Sequence, residues 1–140
     1  MDLHIGYLLK RAQAALRAEM DKQLARHGLT TPQYAALSAL ENMPGLSSAE
    51  LARRSFVTPQ TMIRIVAGLE EKGLVTRSEH LVHGRILETT LTAEGQRAIR
   101  AGHKVVFDVE RRMLGTLTEA ERRRLGRLLK SCADALGSYD

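Results

Sequence analysis

The chain has 140 residues, 44% of them hydrophobic and 26% charged, with a formal net charge of +5. That composition supports one modest core and excludes a disordered chain. No stretch approaches the ~18 consecutive apolar residues of a membrane span, and the N-terminus lacks the basic start and apolar run of a secretion signal. The single cysteine, Cys132, rules out an intrachain disulfide and fits a reducing cytoplasm.

From Leu3 to Leu24, apolar residues at Leu8, Ala12, Ala15, Leu16, Met20 and Leu24 recur at three- and four-residue steps, which predicts an amphipathic helix. His27-Gly28 ends it. Thr31-Pro32-Gln33 opens a second helix, with Thr31 as cap and proline in the first turn, running to Pro44-Gly45. Ser47-Ser48-Ala49-Glu50 reads as a capping box and starts a short third helix that ends near Ser55. Thr58-Pro59-Gln60 begins a fourth, which stops at Gly73; its inward side is expected to carry Ile63, Val66 and Leu69.

The period then changes. Leu74 to Arg77 and Arg85 to Leu91 are rich in β-branched and leucine residues, which predicts two strands of a hairpin around the loop 78–84. Thr92 caps a long helix to about Leu114, and a last capping box, Thr118 to Glu121, opens a helix with Leu125, Leu128, Leu129, Cys132 and Leu136 on one stripe. The order is α-α-α-α-β-β-α-α, mainly α with one small β-hairpin.

Helices three and four, joined by a tight turn at Ser55-Phe56-Val57, form a helix-turn-helix, and the hairpin behind them is a wing. The second helix of such a pair lies in the major groove with its N-terminal residues at the base edges. Here Thr58, Gln60, Thr61 and Arg64 occupy that position. Glutamine pairs with adenine, arginine with guanine, and threonine takes a phosphate or a thymine methyl. Arg77 and Arg85 on the wing would reach phosphates or a narrow minor groove. Charge agrees with this: residues 53–85 hold six Lys/Arg against three acids, whereas residues 97–130, with ten against four, read first as a solvated helix face.

Leu29-Thr30 with Gln33, Ser48-Ala49-Glu50-Leu51-Ala52, Glu70-Glu71-Lys72-Gly73-Leu74-Val75 with Arg77, Gly84-Arg85, and Leu91-Thr92-Ala93-Glu94-Gly95 together resemble the MarR family, the multiple antibiotic resistance type of regulator. The resemblance covers nearly the whole chain. It implies a transcriptional regulator that binds double-stranded DNA at a pseudo-palindromic operator, as a homodimer whose terminal helices interlock. It also implies repression relieved by a small aromatic or anionic effector. Ser48 joins Thr58, Gln60, Thr61, Arg64, Arg77 and Arg85 as the DNA-contacting set. The chain divides into an N-terminal dimerisation helix (1–28), a winged DNA-binding lobe (29–91) and C-terminal dimerisation helices (92–140). The family's effector pocket, where the first, second and fifth helices meet, would here be lined by Arg11, Tyr34 and His103. An aromatic carboxylate would suit it, its acid on Arg11 and its ring against Tyr34 and Leu37. The wing departs from the family, which places an aspartate two residues before the arginine. His83 stands there, and His80 stands at the earlier wing aspartate position, so the ion pair that would aim Arg85 is lost.

Other chemistry finds little in these residues. His80 and His83 lack the cysteines and acids of a metal site, with only Glu79 nearby. No Gly-rich phosphate loop or nucleophile motif occurs, so no cofactor and no catalytic residue is expected. Two alternatives stand beside DNA readout. One is a winged-helix protein-interaction module, whose recognition helix would be apolar or acidic. The other is redox sensing through Cys132, against which its place on an apolar stripe predicts an inert, packed thiol.

Overall fold

The structure, a computed structural model, describes residues 4–79 and 87–137. In chain order it has α1 (Ile5–Ala25), α2 (Thr31–Asn42), α3 (Ser48–Arg54), α4 (Pro59–Glu71), β1 (Val75–Glu79), β2 (Leu87–Leu91), α5 (Ala93–Met113) and α6 (Glu119–Ala135). This is the expected order.

Local capping sets most helix starts. The Ser47 hydroxyl accepts from the Glu50 N–H at 3.2 Å, and the Glu50 carboxylate accepts from the Ser47 N–H at 3.1 Å. Thr118 and Glu121 repeat the arrangement at α6. At α2 the cap is Thr30 and not Thr31: Thr30 Oγ1 accepts from the Gln33 N–H at 3.2 Å while Gln33 Oε1 accepts from the Thr30 N–H at 3.1 Å. Glutamine at the third helical position completes a box only with Thr30. Each such cap contributes about 1 kcal/mol.

β1 and β2 pair antiparallel, Val75 opposite Leu91 through Glu79 opposite Leu87. Ser78 and Glu79, expected in the loop, therefore belong to the ladder. The segment after α2 joins the hairpin as well: the Gly45 N–H donates to the Thr89 carbonyl, and the Thr89 N–H to the Leu46 carbonyl, both at 3.1 Å. Leu37, Leu40, Leu51, Met62, Leu69 and Val75 are buried in the core beneath, closed by Leu24 from α1 and Ile99 from α5. Two glycines let α5 come this close. A Cβ on Gly95 would collide with the Leu74 carbonyl, and one on Gly102 would lie 2.7 Å from the Tyr34 ring.

The C-terminal helix is the opposite case. No residue of α6 is buried within the chain, and Leu125, Leu128, Leu129 and Leu136 are exposed. Cys132 is exposed with them, which corrects the expectation of a packed thiol within one chain. Among the described residues no helix is long and apolar enough to cross a membrane.

Candidate nucleic-acid interface

The α3–turn–α4 unit is fixed by its own hydrogen bonds. The Val57 N–H donates to the Ala52 carbonyl at 3.1 Å, closing the turn. Thr58 then caps α4, accepting from the Thr61 N–H at 3.2 Å and donating its hydroxyl to Thr61 Oγ1 at 2.9 Å. With Thr61 Oγ1 accepting, its own hydroxyl proton is available to an acceptor such as a phosphate oxygen. Met62, Val66 and Leu69 anchor the helix in the core, and Gln60, Thr61 and Arg64 are exposed. Ile63, expected to face inward, is 52% exposed, and Met62 takes its place. The outward face of α4 therefore carries an apolar side chain that sequence reasoning assigned to the core. Ser48, the first residue of α3, is half-buried.

From Leu51 to Leu69 the chain contains three arginines and no acid. The nearest preceding carboxylate, Glu50, is held below its usual range by the Ser47 backbone N–H first and the Ser47 hydroxyl second. It is committed to its cap. Arg77 does not stand free on the wing: its Nη2 lies 2.9 Å from Glu70 Oε1, and its Nε is buried without a partner. It ties β1 to the end of α4. Arg85, His80 and His83 lie outside the described residues.

A second tether holds the same end of α4. Lys72 Nζ donates to the Gly28 carbonyl and, at 3.0 Å, to Gln33 Oε1. The C-terminus of the outward-facing helix is thus pinned where α1 gives way to α2.

Beneath the lobe, the Tyr34 hydroxyl and His103 Nδ1 are 2.8 Å apart, and His103 Nε2 lies 2.7 Å from Glu41 Oε1. The two rings meet edge to face with centroids 5.5 Å apart. Burial first, then the charges of Glu110 and Glu41, push the Tyr34 phenol above its ordinary value. A chain in which the phenol donates to Nδ1 and Nε2–H donates to Glu41 would satisfy all three groups at once. The structure thus joins Tyr34 and His103 but adds Glu41, which the sequence did not suggest. Arg11 is exposed on α1, nine residues before Met20, where that helix packs on the core. At about 1.5 Å per residue this sets it roughly 13 Å further along the helix than Met20, and the hydrogen bonds that join Tyr34, His103 and Glu41 do not involve it. Among the described residues no group of three His, Cys, Asp or Glu side chains could hold a metal ion.

A capped helix-turn-helix, an antiparallel hairpin behind it and long flanking helices with bare apolar stripes define a winged helix-turn-helix protein. A family model described as MarR family matches residues 27–86. The HTH-type transcriptional repressor Rv2887 of Mycobacterium tuberculosis is 42% identical over 129 residues, covering 92% of this chain and 93% of that protein. The crystal structure of Rv2887 in complex with DNA is similar with a TM-score of 0.80 at 39% identity, covering 98% of this chain and 100% of that one. Its complex with salicylic acid gives a TM-score of 0.78 at 41% identity, covering 94% and 97%. The chain belongs to the MarR family.

Proposed function

We propose that this protein is a cytoplasmic transcriptional repressor that binds a pseudo-palindromic operator as a homodimer and is released by an aromatic acid. The observation that carries the reading is the acid-free stretch from Leu51 to Leu69, with Gln60, Thr61 and Arg64 exposed at a helix start that is itself capped and anchored. An interaction module would not need three such readers on a cationic surface. The similarity to Rv2887 solved with DNA supports the same reading.

Residues 29–91 bind DNA, while 1–28 and 92–140 hold the dimer. Leu8, Leu9, Phe107, Leu128 and Leu136 are exposed in a single chain, and a second copy covers them. Its two recognition helices then stand roughly 34–36 Å apart, matching successive major grooves. Arg64 reads a base, Thr58 and Thr61 with Ser48 position the phosphates, and Arg85 supplies the wing's phosphate contact. The effector acts at the α1–α2–α5 junction, where Tyr34 and His103 form a polar wall. Salicylic acid, bound by Rv2887 in a similar structure, sets the ligand class to try.

The test is fluorescence anisotropy on a duplex selected from random-sequence DNA by the wild-type protein. Arg64→Ala is expected to cost about 1–3 kcal/mol per half-site and relax base preference, whereas Arg85→Ala lowers the salt slope by about one per wing. Salicylate is expected to release the duplex. Selection of no duplex at all would overturn the reading and leave the interaction module in its place.

A further inference from the structure

Phe56 is unexplained by the core, the wing or the dimer stripes. It is 80% exposed, more than Tyr7 or Phe107 on the terminal helices, yet it lies in the helix-turn-helix itself. Its backbone sits at φ 57, the left-handed region where a bulky side chain is strained and glycine is not. The turn does not require an aromatic ring there. The Val57 N–H to Ala52 carbonyl bond and the Thr58 cap hold the turn without any contribution from the Phe56 side chain.

The surroundings indicate what the ring meets. Arg53 and Arg54 precede it and are exposed, and no acid occurs between Leu51 and Leu69. An apolar ring among cations suits a strand of DNA, in which apolar deoxyribose faces alternate with anionic phosphates. The position suits it as well. When the N-terminus of α4 enters the major groove, a residue two places before the Thr58 cap meets the groove wall, which is the sugar–phosphate backbone.

We propose that Phe56 is a DNA-contacting residue that packs on a deoxyribose at the edge of each half-site, with Arg53 and Arg54 on the adjoining phosphates. This rests on the DNA-binding reading and extends it to a residue outside the recognition helix. The contact is apolar, so it adds affinity without adding to the salt dependence.

The experiment compares Phe56→Gly and Phe56→Asn with wild type on the selected duplex. Glycine relieves the turn and asparagine tolerates its backbone, so both variants fold, and Phe56→Gly is expected to raise the melting midpoint by a few degrees. Both are expected to weaken the duplex roughly 25-fold, since the ring acts twice per dimer and one buried aromatic is commonly worth about fivefold or more. The slope of affinity against salt stays that of wild type, whereas Arg53→Ala and Arg54→Ala lower it. Hydroxyl-radical footprinting, which attacks sugar hydrogens, should show one protected sugar per half-site lost in Phe56→Gly. Unchanged affinity and footprint in a more stable Phe56→Gly would overturn the proposal and make the ring a docking point for another protein. A wild-type protein that selects no duplex would overturn the DNA-binding reading itself, so the two failures are distinct.

Discussion

The winged lobe and the C-terminal helix carry the same sequence signal and meet opposite fates. Leucines at helical spacing place Leu37, Leu40, Leu51 and Leu69 entirely inside the lobe, while on α6 the same spacing leaves Leu125, Leu128, Leu129 and Leu136 exposed. The lobe closes on its own chain because α2, α3, α4 and the hairpin enclose a common centre. The outer helix has no such enclosure, and its exposed side is laced instead by pairs such as Arg123–Glu119 at 3.0 Å and Lys130–Asp134 at 2.8 Å. Those pairs add a few tenths of a kcal/mol each and cannot substitute for burial. A periodic stripe therefore specifies that a face will be covered, and the topology decides whether by the same chain or another.

The comparison is broken most severely from the lobe side. Leu69→Ala removes a fully buried side chain and is expected to cost about 2–5 kcal/mol in chemical denaturation, unfolding the readout surface with it. From the other side, Leu128→Asp leaves the single chain's core untouched and buries a carboxylate only in the dimer. It is expected to weaken association by roughly 2–4 kcal/mol and give monomers in sedimentation at micromolar concentration. A stable Leu128→Asp dimer would put the second copy elsewhere.

Tyr34→Phe, at the seam between the two regions, is the mildest change. Loss of its bond to His103 is expected to cost about 1 kcal/mol near neutral pH. Its pH dependence has a definite sign. The folded phenol holds its proton above the ordinary value of 10.0, so its contribution is fully present below pH 10. It is lost as pH rises through the raised value, because there the unfolded chain ionises and the folded one resists. Thermal midpoints measured upward from pH 9 should fall more steeply in wild type than in Tyr34→Phe.

What the sequence disclosed follows the range of the interactions. The boxes at Ser47 and Thr118 and the cap at Thr58 are three-residue devices, and they stand where the chain alone places them. The Thr30–Thr31 choice was equally local, and counting three residues back from Gln33 resolves it. The inward face of α4 was not. Met62 and Ile63 are both apolar and adjacent, and either can begin a stripe with Val66 and Leu69; packing against the neighbouring elements selects Met62. Glu41 reaches His103 across 62 residues, a contact that no spacing rule announces. Arg77 looked like a free wing cation because its partner, Glu70, sits on the preceding helix.

The pin at Lys72 gives α4 a mechanical property. The helix has 13 residues, which at about 1.5 Å each makes a rod roughly 20 Å long. A tilt of about 10° about the pinned end sweeps the Thr58 tip by roughly 3.4 Å, the rise of about one base pair along a strand. Because α4 is anchored in the lobe's core, leverage of this kind would turn a small rotation of the whole lobe around Gly28 and Gln33 into a full step of misregister at the groove, doubled across a symmetric pair.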